Sequence, residues 1–147
     1  MVINNRCNTC HNPVDAANAA QMPAGNLDLT DGPSDDEPDQ FRSYRELLFG
    51  DRGQIVNAMG QLEDECIQTQ IDPVTMVVTC VAFRQVPAPM SALGARASAR
   101  FFNEMEGVTP GGVDHSDFMS PSELRLISEW LDIGAQYYND PFVAPEN

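Results

Sequence analysis

Cys7, Cys10 and His11 stand together in the run NNRCNTCHNP at positions 4–13. Two thiols three apart, followed at once by an imidazole, can serve three chemistries. A structural zinc ion takes four nitrogen or sulfur ligands, usually from two such knuckles. The chain's other cysteines and histidine are Cys66, Cys80 and His115, and they form no second knuckle. A thioredoxin-type dithiol follows a strand in a βαβ unit, and no such pattern surrounds this motif. The third chemistry is covalent haem attachment, for which C-x-x-C-H is the signature. At this spacing two thioethers reach the two vinyl groups on one porphyrin edge, and the adjacent histidine lies under the iron. The pattern therefore predicts one haem c, with Cys7 and Cys10 as its thioethers and His11 as the proximal iron ligand.

That use leaves an even pair of cysteines. The segment CIQTQIDPVTMVVTCVAF at 66–83 is rich in β-branched residues and has a turn signal at its centre. It predicts a hairpin over about 62–83 that brings Cys66 and Cys80 roughly opposite each other. A disulfide there would contribute about 3 kcal/mol in the chain-entropy view; the alternative is two free buried thiols. An isolated hairpin is marginal, so a staple has a physical purpose. Thioethers and a disulfide both fit an oxidising compartment, periplasmic or extracellular.

Three segments predict helices that could position these groups. Residues 39–49 place Phe41, Tyr44, Leu47 and Leu48 on one face, with Gly50 to end the run. Residues 91–105 read as a thin helix with Ser91 as N-cap and small residues at 94, 95, 97 and 98. Residues 120–138 have Ser120 as cap, Pro121 in the first turn and Glu123 completing a capping box. Leu124, Ile127, Leu131, Ala135 and Tyr138 form one apolar stripe on that helix. Leu126, Trp130, Ile133 and Tyr137 form a second, so burial on two sides is expected. Residues 12–40 read as loop. Their run Asp31–Asp39 has the composition of a calcium loop without its twelve-residue ligand pattern. A tail follows from about 139 to 147.

The 147 residues suit one domain, and 42% hydrophobic content allows a modest core. The net charge of −14 argues against a nucleic-acid partner; it serves solubility or steers the chain toward a cationic partner. No run of 18 apolar residues predicts a membrane span. The start at MVINNRC reads as a module taken from a larger protein.

The order of RCNTCH, AGNLDL, a Pro-Met segment and LRLISEWLDIGAQ resembles class I c-type cytochrome domains, closest to the planctomycete-type branch. The resemblance implies a mainly α fold, 1–147 as a single monohaem domain, with the disulfide-linked hairpin as an insertion. In it, a short N-terminal helix carries the haem motif and crosses the last helix. It also implies that a proline carbonyl about twelve residues after the histidine receives the ring N–H, which is Pro23 here.

The other face of the iron needs a ligand. Class I domains often take it from a methionine beside proline, and Met90 follows Pro87 and Pro89. Met119, beside the last helix, and His115, in a polar loop, are its rivals. Arg96 is the first candidate to hold a haem propionate, with Arg52 and Arg84 behind it, and Trp130 is expected against the haem or the N-terminal helix. The function expected is one-electron transfer with a redox protein partner, not enzymatic catalysis. The alternatives are a haem sensor with an open sixth site and a peroxidase-like haem domain.

Overall fold

A computed structural model describes residues 4–107 and 112–137. The chain divides into two compact units, 1–88 and 89–147.

The first unit begins with α1 (Asn4–Cys7). The chain then turns back through a bridge between Val14 and Ala20, and a short 3-10 turn covers Ala24–Asn26. A second bridge, Pro33 to Phe41, closes the acidic loop. It leads into α2 (Arg42–Leu48), whose Leu47 and Leu48 are buried while Phe41 stays outside as the N-cap.

Six short strands follow: β1 (Asp51–Arg52), β2 (Gln54–Val56), β3 (Leu62–Asp64), β4 (Cys66–Ile71), β5 (Val78–Phe83) and β6 (Gln85–Val86). They pair as three antiparallel ribbons, β1 with β6, β2 with β3 and β4 with β5. Local turn chemistry sets the tips. Asn57 Oδ1 accepts from the N–H groups of Met59 and Gln61 while Gly60 takes φ +74°. Asp72 Oδ1 accepts from Val74 and Thr75 at 2.7 and 3.0 Å. Those bonds, Thr75 first, hold the Asp72 carboxyl below its ordinary pKa. Between strands, Gly53 N–H donates to the Arg84 carbonyl, Arg84 N–H to Glu65, and Glu65 N–H to Gly53, which stitches the three ribbons together.

The second unit holds a 3-10 turn (Ala95–Ser98), α3 (Ala99–Glu106) and α4 (Pro121–Asp132). Helix α4 has the expected capping box between Ser120 and Glu123. It stops at Asp132 rather than running to 138. Gly134 takes φ +92°, its N–H donates to Leu131, and Ala135 N–H donates to Trp130, a glycine-terminated helix end. The segment 91–105 is likewise shorter than expected. Ser91 Oγ accepts from Leu93 N–H and makes a turn, so helix begins only in the 3-10 turn. Gly94, at φ +113°, lets Ala95 N–H donate to Asp132 Oδ1 at 2.8 Å, which ties that turn to α4.

The expected mainly α fold is not what forms. Helix takes 28% and strand 21%, a mixed α and β arrangement with small antiparallel sheets. The physical reason lies in 51–86, where short β-branched segments alternate with Asn, Gly and Asp turns and no helical period develops. The disulfide between Cys66 and Cys80 is present, with a Cα–Cα distance of 5.8 Å. The two cysteines are not cross-strand neighbours. Cys66 pairs with Phe83 and Cys80 with Thr69, and a bulge between them shifts the register. The tail from 139 onward lies outside the described residues.

Candidate functional site

The motif sits at the end of α1. Cys7 is the last helical residue, and its carbonyl accepts from both Cys10 N–H and His11 N–H, at 3.3 and 3.0 Å. One further turn thus carries Cys10 and His11. Cys10's carbonyl accepts from Ala24 N–H at 3.0 Å, which anchors the turn to the following loop. Both cysteines are free thiols, Cys7 buried and Cys10 exposed. Burial pushes the Cys7 thiol above its ordinary pKa, with Arg6 pulling the other way. A neutral, covered thiol is a poor redox nucleophile.

His11 is held from two sides by one segment. Its carbonyl accepts from Leu29 N–H at 3.0 Å. Its ring Nδ1 lies 3.3 Å from the Leu27 carbonyl oxygen. A carbonyl can only accept, so this contact puts the ring proton on Nδ1 and makes Nε2 the nitrogen that carries the lone pair. The expectation of Pro23 in that role is corrected. The Pro23 carbonyl instead accepts from Asn26 N–H at 2.8 Å, closing the 3-10 turn. Pro23 is fully buried beneath the loop. Leu27 could not be found from sequence, because a backbone carbonyl has no residue signature. The stretch AGNLDL did mark the place.

Among the described residues, no three His, Cys, Asp or Glu side chains converge to hold a metal ion. Cys7, Cys10 and His11 are therefore not arranged around one ion as a zinc knuckle would be. A porphyrin makes no such demand, since its thioethers bond carbon at the ring edge. A free thiol pair beside a histidine with Nδ1 engaged fits a covalently bound haem.

Met90, Met119, His115, Arg96 and Trp130 belong to the second unit. Met90 and Met119 are both buried, at 3% and 6% exposure. Met22, Met59 and Met76 are exposed. His115 is half-buried, with its ring 5.5 Å from that of Phe118. Arg96 is exposed in the 3-10 turn. Trp130 is half-buried, and its indole N–H donates to the Gln136 carbonyl at 3.1 Å. On α4, the stripe with Ile127, Leu131 and Ala135 is buried, whereas Leu126 and Ile133 of the second stripe are exposed. In the first unit, Arg52 pairs with Asp64 and Arg84 with Glu65, so both arginines already have carboxylate partners.

No protein-family model, curated protein or solved structure matches the chain.

Proposed function

We propose that this chain is a monohaem c-type cytochrome domain that passes single electrons to and from a redox protein partner. What carries the reading is the His11 ring, whose Nδ1 lies 3.3 Å from the Leu27 carbonyl directly after a pair of free thiols at C-x-x-C spacing. When bound, the haem supplies an iron that alternates between ferrous and ferric states. The chain's own residues bind and orient. Each thiol S–H of Cys7 and Cys10 adds across one vinyl double bond, with no electrons lost or gained. Leu27 fixes the His11 tautomer and raises the basicity of Nε2. Met90 is assigned as the sixth ligand, supported by its burial and the stiffening prolines before it. Met119 and His115 remain its rivals, and Arg96 is left as the propionate partner.

The Cys66–Cys80 disulfide supports placement in an oxidising compartment, periplasmic or extracellular. No helix among the described residues is long and apolar enough to cross a membrane. The charge of −14 suits a cationic docking face on the partner, with association that weakens as salt is added.

The visible spectrum of the reduced protein, with and without carbon monoxide, tests the reading. A low-spin spectrum that carbon monoxide leaves unchanged is expected. Rapid carbon monoxide binding would point instead to a ligand sensor or a peroxidase-like domain.

A further inference from the structure

Within the first unit, the acidic loop, α2 and the ends of β1, β2, β3 and β6 enclose a cleft of about 450 Å³. That is the size range of small-molecule sites. Its walls are polar and carry both signs of charge, and most of those charges are already answered. Arg42 on α2 binds Asp28 at 2.9 Å and Asp35 at 3.3 Å. Arg52 on β1 binds Asp64 on β3 at 3.0 Å. The Arg45 guanidinium lies 4.1 Å over the Phe49 ring, and its Nε has no acceptor among the described residues. Glu46 and Asp51 share a hydrogen bond between their carboxyl groups. Gln54 and Gln85 add neutral amides to the lining.

We propose that this cleft binds a neutral polyhydroxyl ligand, a free sugar or the sugar end of a glycan. A strong anion would face the carboxylates of Asp35, Asp36, Asp51 and Asp64. A strong cation would face Arg42, Arg45 and Arg52. Arg42 and Arg52 are already answered by carboxylates, so neither ion meets an open cluster of opposite charge, and Arg45 adds a single unused donor. A hydroxyl is both donor and acceptor, so neighbouring hydroxyls can use the unused edges of paired guanidinium and carboxylate groups at once. The two glutamine amides extend the same bonding. Phe49, partly exposed, offers an apolar ring at the margin for the C–H face of a sugar. The inference does not rest on the haem reading, since none of these residues belongs to the motif.

The Glu46–Asp51 pair gives the cleft a pH limit. Burial first, then Asp51 and Asp28, raise the Glu46 carboxyl to about 8. The charged groups around the cleft are Asp28, Asp35 and Asp36 from the loop, Arg42 and Arg45 from α2, Asp51 and Arg52 from β1, and Asp64 from β3. Below that pH, Glu46 keeps its proton and donates to Asp51. Above it, two adjacent carboxylates repel and a donor is lost, so sugar binding weakens.

Saturation-transfer NMR on the full chain tests this, with glucose, galactose, mannose and cellobiose each at about 10 mM, suited to weak binding. Methylammonium and methyl phosphate serve as ionic probes. Transfer to a neutral sugar at pH 7 and none to either ion is expected. Transfer to a monosaccharide assigns a free sugar, and transfer to cellobiose alone assigns a glycan end. Arg45→Gln, which breaks no ion pair among the described residues, should abolish the signal with the circular dichroism spectrum unchanged. Glu46→Gln should keep binding at pH 9, where the natural chain loses it about tenfold by loss of the donor. No transfer to any of the four sugars, transfer to an ion only, or sugar binding untouched by Arg45→Gln overturns the proposal.

Discussion

The ring nitrogen Nδ1 of His11 and the carbonyl oxygen of Leu27 lie 3.3 Å apart, across sixteen residues of chain. With the Leu29 N–H bonded to the His11 carbonyl, one three-residue segment fixes both the backbone and the tautomer of the motif histidine. A ligand histidine needs both, because iron takes only the nitrogen that carries no proton.

Covalent attachment gives the first prediction. Made in a compartment that matures c-type cytochromes, the protein should keep its haem through acid–acetone extraction. Replacing both Cys7 and Cys10 with alanine should release it. Haem that extracts from the unaltered protein would sink the thioether assignment.

The sixth ligand is separable by single substitutions. Met90→Ala should abolish the far-red charge-transfer band of methionine-ligated ferric haem, while Met119→Ala and His115→Ala keep it. A band lost on Met119→Ala and retained on Met90→Ala reverses the assignment. A spectrum without that band, altered by His115→Ala alone, assigns His115.

The hairpin disulfide should show in alkylation and in stability. Unfolded and unreduced, neither Cys66 nor Cys80 should react with a thiol reagent. Removing the pair by Cys66→Ser with Cys80→Ser should cost about 3 kcal/mol in denaturant unfolding, from the loop entropy it restores to the unfolded chain. A cost near zero would mean that the hairpin opens without affecting the rest of the fold.

Glu46 sets a pH dependence whose sign follows from its raised carboxyl, about 8 against an ordinary 4.5. Below 4.5 both folded and unfolded chains hold the proton. Between 4.5 and about 8 the unfolded chain has released it and the folded chain has not, so stability falls as pH rises through that window. Glu46→Gln removes the penalty. It should stabilise the protein at pH 8 by about 1–3 kcal/mol, allowing for partial solvent screening, and leave stability at pH 4 unchanged. Equal slopes of stability against pH for the two proteins would exclude Glu46 as the cause.

Helix α4 provides a local check. Ser120→Ala removes an oxygen that accepts from Glu123 N–H and should cost about 1 kcal/mol in thermal or denaturant unfolding. Gly94→Ala should also destabilise. An added Cβ would lie 2.9 Å from Asp132 Oδ1, at a φ of +113° that side chains avoid.

Much of this was legible in the chain, wherever a rule acts over a few residues. The C-x-x-C-H spacing, the Ser120–Glu123 capping box and the turn between β4 and β5 are local, and the turn placed Cys66 and Cys80 within reach of each other. Helix α4 is shorter than its apolar pattern implies for an equally local reason, since Gly134 ends it although apolar residues continue past it. The tertiary structure decided what depends on meetings between distant segments. It set Leu27, not Pro23, against His11, because either carbonyl could serve and only loop geometry chooses. It buried Met90 and Met119 alike and left Leu126 and Ile133 outside. It paired β1 with β6 across more than thirty residues, where strands of two residues leave no period to read. It also brought a half-buried Glu46 beside Asp51, and a carboxyl's pKa follows from its surroundings rather than from its neighbours in sequence.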